Sequence, residues 1–180
     1  MRLFASFLLT ATLGVASPLP AQQPAGARLD LSTGGGRVRG GMIDHRMDVL
    51  ADVLAAGRVR PMPGGAIVAG LGASGIVGGF GDSCLLLPNG GCAAKGNFMV
   101  VTALLGVDRA VGAGSLRLLA GPSYHNGDKD ASVGLQGRVD VASPTFAHLA
   151  VGLMTRATVL PNHGDATLVI WGFGVGVAFR

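Results

Sequence analysis

The sequence predicts an all-β fold, an antiparallel up-and-down barrel of eight strands that crosses a membrane. Three observations carry that expectation: long stretches alternate apolar with small or polar residues, charge is scarce, and the N-terminus reads as an export signal. Of 180 residues 31 are glycine, 49% are hydrophobic and only 13% are charged. That is little charge for a soluble domain. The chain has no Glu, and Lys95 and Lys129 are its only lysines. Residues that favour helices are therefore scarce apart from Ala and Leu, while Val and Gly abound. The glycines sit within apolar segments, which fits neither collagen nor disorder.

At the N-terminus, Arg2 precedes the apolar run LFASFLLTATLGVA, and SPLPA supplies a small-residue cleavage site before QQPAG. Residues 1–21 are read as a signal peptide. The run is short and ends among prolines, which disfavours a membrane anchor. Residues 22–28 are expected to form a short N-terminal segment and 29–180 the barrel domain.

The first two strands are expected at 29–38 and 46–57. The second, within HRMDVLADVLAAG, also fits an amphipathic helix with Val49, Leu50, Val53 and Leu54 on one side. The strand reading is preferred because it turns Asp48 and Asp52 inward, like the charges that follow. Residues 66–80 and 98–110 are strand-like and rich in Gly and Ala; in the second, Thr102, Gly106 and Asp108 share a face. Residues 115–124 set Leu116, Leu118, Ala120 and Tyr124 against Arg117, Leu119, Gly121 and Ser123. Residues 131–143 set Val133, Leu135, Val139 and Val141 against Ser132, Gln136, Arg138 and Asp140. Residues 148–160 set Leu149, Val151, Leu153, Ala157 and Val159 against Ala150, Gly152, Met154 and Arg156. The last strand is the clearest. Val169, Trp171, Phe173, Val175, Val177 and Phe179 form a large apolar face expected to meet lipid, and Gly172, Gly174, Gly176 and Ala178 form a small one.

Each segment is near the 9–11 residues that a tilted membrane-crossing strand needs. Linkers near 39–45, 81–97, 125–130 and 161–165 are mostly polar and are expected at one end. Those near 58–65, 111–114 and 143–147 carry Pro, Gly or Ser and are expected at the other. Phe80, Phe98 and Tyr124 then fall near the outer end, and Phe146 and Phe179 near the inner end. Residues 61–81 are uncharged and long enough for a helical span, but eight glycines and two prolines argue against a helix there.

With its signal peptide, eight alternating segments and final WGFGVGVAF, the chain resembles the small eight-stranded outer-membrane barrel proteins of diderm bacteria. That resemblance implies outer-membrane lipid as surroundings and the barrel-assembly machinery as a partner during insertion. Members of the family usually end on an aromatic residue; here Arg180 follows Phe179.

Several residues are candidates for particular roles. Cys84 and Cys92 flank LLLPNGG in the longest loop, and an oxidising compartment favours a disulfide over a metal site or free thiols. Closing that loop would stabilise it by about 2–3 kcal/mol. Asp48, Asp52, Asp108, Arg117, Arg138, Asp140 and Arg156 are expected to face the lumen. Eight strands enclose little more than their own side chains, so a lumen plugged by ion pairs is favoured over a pore. Inward glycines on the third and eighth strands would leave room for the arginines.

Ser123, His125 and Asp128 are the only residues resembling a nucleophile, base and orienter for acyl chemistry, but their face should look into the lumen, away from lipid. Gly70 to Gly75 matches a dinucleotide fingerprint, yet no helix or suitably placed acid follows it. Asp44, His45, Asp82, His125, Asp128, Asp130, His163 and Asp165 gather at the outer end, as polar loop residues commonly do. No catalytic residue, metal or cofactor is therefore expected. The net charge of +4 is carried by scattered arginines, which excludes a nucleic-acid surface. The expected function is a structural or surface-interaction barrel displaying loops. A narrow porin-like channel is the alternative, and a lipid-modifying enzyme comes third. The residues name no extracellular ligand.

Overall fold

An edge strand exposes unpaired N–H and C=O groups, and a sheet closed on itself has no edge. The computed structural model closes its sheet in this way. It describes residues 26–40, 43–77, 85–86, 92–93, 98–126, 131–163 and 166–179. The strands are β1 (Ala27–Gly40), β2 (Ile43–Met62), β3 (Gly65–Val77), β6 (Phe98–Val111), β7 (Gly114–Asn126), β8 (Ala131–Ala142), β9 (Leu149–His163) and β10 (Ala166–Phe179). Two short strands, β4 (Leu85–Leu86) and β5 (Cys92–Ala93), pair separately between β3 and β6. The barrel order is β1-β10-β9-β8-β7-β6-β3-β2, with every neighbouring pair antiparallel and β1 closing on β2. The eight-stranded up-and-down barrel expected from the alternation is thus the architecture found.

Turn chemistry sets the ends. Residues 63–64 and 112–113 connect β2 to β3 and β6 to β7, with Gly64 (φ 72°) and Gly112 (φ 58°) in the left-handed region that glycine enters at least cost. The third connection at this turn end runs through 143–148, where a Phe146–Leu149 bridge tightens it. At the loop end, the connection between β3 and β6 is by far the longest.

Strand bounds differ from those expected, above all in the first hairpin. β1 begins at Ala27, which puts Arg28 inside the barrel instead of in a leading segment. β2 runs to Met62 through residues expected to be a linker, and β1 and β2 are separated only by residues 41–42, where a loop of 39–45 was expected. Arg58–Met62 stay in a strand because β3 extends down beside them to Gly65. The register shifts between Gly34 and Gly36 opposite β2, and between Arg58 and Arg60 opposite β3; each is a β-bulge.

A second difference concerns the interior. Large apolar residues were expected outside and small or charged ones inside. The outer face follows that rule, but the lumen also holds apolar clusters. One joins Leu50, Met154, Leu160, Leu168 and Ile170, with Val38 packed against it. Another joins Leu54, Ala56, Ala66, Val68, Leu104 and Leu119, and a third Ala142, Ala150 and Ala178. An enclosed barrel interior must be filled, and aliphatic side chains fill it without needing a polar partner.

Candidate functional site

The structure brings the charged lumen residues into one connected system. Arg117 donates from Nη1 to Asp30 Oδ2 at 2.8 Å and lies 3.8 Å from both Asp108 and Asp140. Arg138 donates from Nε to Asp140 Oδ1 at 2.8 Å and from Nη1 to Asp52. Arg156 reaches Asp52 Oδ1 at 3.3 Å and donates to the Ser74 hydroxyl. Arg28 donates to Asp30 Oδ1 at 2.6 Å and to the Ser115 hydroxyl at 3.4 Å. These eight charges are all buried and consist of four arginines and four aspartates, so the system is neutral.

Its geometry follows from the strand order. β1 and β7 stand four strands apart in a ring of eight, as do β2 and β8, and β3 and β9. The Asp30–Arg117, Asp52–Arg138 and Ser74–Arg156 contacts therefore cross the lumen from one wall to the opposite wall. Only long side chains span that distance, and arginine also offers several donors in a planar fork. β10 contributes no charge; its inward positions include Gly172, Gly174 and Gly176. A Cβ on Gly172 would stand 3.2 Å from Arg156 Cγ and Nε, so the glycine makes room for that side chain.

Of the residues singled out in the sequence, Asp52, Asp108, Arg117, Arg138, Asp140 and Arg156 all lie in this system. The side chain of Asp48 lies outside what the structure describes. Sequence reasoning missed Arg28, Asp30, Ser74 and Ser115. Asp30 alternates with Leu29 and Leu31, both exposed, and that local pattern was the available signal.

Toward the loop end the lumen is less charged: β2, β9 and β10 bring the apolar cluster of Leu50, Leu160, Leu168 and Ile170, and β7 and β8 bring polar side chains. The Thr158 hydroxyl donates to Gln136 Oε1 at 3.2 Å, and Ser123 Oγ lies 3.2 Å from His125 Nε2. Ser123 and His125 are both buried in the lumen, while Asp128, the third member of that candidate set, lies outside the described residues. Gly70 to Gly75 fall within β3, which runs on to Val77 as a strand. Among the described residues no group of three His, Cys, Asp or Glu could hold a metal ion. Asp82, Asp128, Asp130 and Asp165 lie outside the described residues, as does Cys84 and with it the expected Cys84–Cys92 disulfide.

The outer face has the opposite character. On β10, Trp171, Phe173, Val175 and Phe179 are exposed, Phe173 by 67%, and Val169 and Val177 are half-buried on the same face. Leu71, Leu105, Val133, Leu135, Val151 and Leu153 continue this surface around the barrel. Among the side chains described, outward charges occur only near the strand ends. Arg37 and Arg39 lie toward the loop end, and Arg60 and Arg109 toward the turn end.

No protein-family model matches the sequence, and no curated protein does. Solved structures do match in fold. The chain is similar to Neisserial surface protein A, with a TM-score of 0.69 at 10% identity, over 87% of this chain and 97% of that one. It is also similar to Ail, the attachment invasion locus protein of Yersinia pestis, with a TM-score of 0.55 at 13% identity, over 85% and 97%. A major outer membrane protein from Thermus thermophilus matches with a TM-score of 0.51 at 14% identity, over 87% and 100%. The fold is that of the small eight-stranded outer-membrane barrels.

Proposed function

We propose that this chain is an outer-membrane barrel with a lumen closed by ion pairs, and that its role is structural or one of surface interaction. The observation that carries this reading is its inverted polarity. Charge is gathered in the interior, while a band of uncharged, mostly apolar side chains encircles the outside. A water-soluble barrel would need the reverse, since an exposed apolar surface of this extent has no place in water. A bilayer supplies the missing apolar surroundings, and a closed strand ladder meets its demand that backbone groups be paired.

The ion pairs support closure of the lumen. A charged side chain held between opposite walls occupies the path that an ion would take, and moving it aside would leave partners unpaired in a low-dielectric interior. No catalytic role is assigned. The Ser123–His125 pair is enclosed in the lumen, away from the outer surface where a lipid substrate would arrive. A surface role accords with the names of two proteins similar in fold, a surface protein and an attachment invasion locus protein. Export by residues 1–21 and insertion by the barrel-assembly machinery complete the reading, with the Cys84–Cys92 disulfide stapling the longest loop.

Expression with its leader in a diderm host, followed by membrane fractionation and electrophoresis of heated and unheated samples, tests this reading. The expected result is recovery in the outer membrane with heat-modifiable mobility. Recovery as a soluble periplasmic protein would overturn it.

A further inference from the structure

The outer wall carries a groove of about 590 Å³. Ala69, Ala103, Ala120 and Pro122 form its floor, and Leu71 and Leu105 frame it. It arises for two reasons. Small outward side chains of three neighbouring strands meet here, Ala69 on β3, Ala103 on β6 and Ala120 on β7. Pro122 also lacks an N–H, and the β6–β7 register passes from Thr102 opposite Ser123 to Leu105 opposite Ala120 with no pairing between them.

Toward the turn end, below the groove and on the same strands, stand two exposed arginines. Arg109 follows Leu105 on β6 by four residues, about 13 Å along the strand. Arg60 is on the adjoining stretch of β2, opposite Ile67 of β3. Between them on β3 lie Gly65, which pairs with both Arg109 and Met62 and has no side chain, and Ile67, which pairs with Arg60 and Val107. Every aspartate whose side chain is described points into the lumen, so the charge facing outward at this corner is positive.

We propose that this strip binds one anionic glycerophospholipid, with its phosphate at Arg60 and Arg109 and an acyl chain in the groove. The inference rests on the membrane reading above, which places the short turns in the inner leaflet. Guanidinium groups match phosphate oxygens with paired, charge-assisted hydrogen bonds. An acyl chain supplies contact atoms to a concave apolar wall that a flat neighbour could not fill. The spacing suits such a molecule, because its phosphate and its chains are joined through a short glycerol bridge. A zwitterionic lipid could fill the groove but would gain less from the two arginines.

The test uses the folded full-length barrel in micelles containing equal amounts of phosphatidylglycerol and phosphatidylcholine, read by native mass spectrometry. The expected result is one retained phosphatidylglycerol per barrel, preferred by about fivefold for each arginine. The pair Arg60→Gln and Arg109→Gln should bring the two lipids to parity. Ala103→Leu with Ala120→Leu should reduce retention of both by filling the groove. Excess glycerol 3-phosphate should not displace the lipid. Heat-modifiable mobility establishes that each variant is folded. Equal retention by the unaltered barrel, displacement by glycerol 3-phosphate, or a lipid-free dimer seated on this face would overturn the site. Failure to fold in micelles would overturn the membrane reading and the site with it, whereas folding with equal retention overturns the site alone.

Discussion

On β8, the lumen face carries Gly134, Gln136, Arg138 and Asp140, while the outer face carries Val133, Leu135, Val139 and Val141. The two rows come from alternate residues of one strand, yet they obey opposite rules for charge. Inside, Arg138 is tolerated because Asp140 lies beside it and Asp52 reaches it from the opposite wall. Outside, no such partner exists in the middle of the wall, and the arginines stand only toward the ends. Charge is thus excluded from where it cannot be paired, rather than from the membrane-crossing strands as such.

Breaking the lumen side of that comparison should have the largest effect. Asp52→Ala leaves Arg138 and Arg156 without their shared carboxylate and is expected to cost about 3–5 kcal/mol. A shift in the urea midpoint of the barrel folded in lipid vesicles measures it. On the outer side, Phe173→Arg puts a charge on the apolar surface and should cost about 2–4 kcal/mol in the same assay. Two glycines sharpen the contrast further. Gly172→Ala would bring a methyl 3.0 Å from Leu50 Cδ2 and 3.2 Å from Arg156, and should cost about 1–3 kcal/mol. Outward Gly137 has nothing within 4 Å of an added Cβ, so Gly137→Ala should leave the midpoint where it is or raise it slightly. The smallest loss is expected from Thr158→Val, which removes one hydrogen bond to Gln136 and about 1 kcal/mol.

How much of this could be read from the sequence varied along the chain. β10 was legible because its two faces differ in size at almost every step, from Trp171 against Gly172 to Val177 against Ala178. The inward placing of Arg117, Arg138, Asp140 and Arg156 followed from the same period. β2 was ambiguous for a physical reason. Val53 faces out and Leu54 faces a lumen cluster, so consecutive apolar residues are correct on both faces and alternation disappears. The bulge opposite Gly34 and Gly36 also shifts the register in the first hairpin, which a fixed period of two cannot follow. Arg28 was missed because the residues before it, QQPAGA, carry no alternation to extend. The partners across the lumen were not legible at all. Asp30 and Arg117 are 87 residues apart, and their meeting depends on the stagger of the whole closed sheet.

Single-channel recording of the purified barrel in planar bilayers tests closure of the lumen most directly. With Asp30–Arg117, Asp52–Arg138 and Ser74–Arg156 spanning the interior, the unaltered protein should show no stable conductance steps. Reproducible open steps from the unaltered protein would contradict the account.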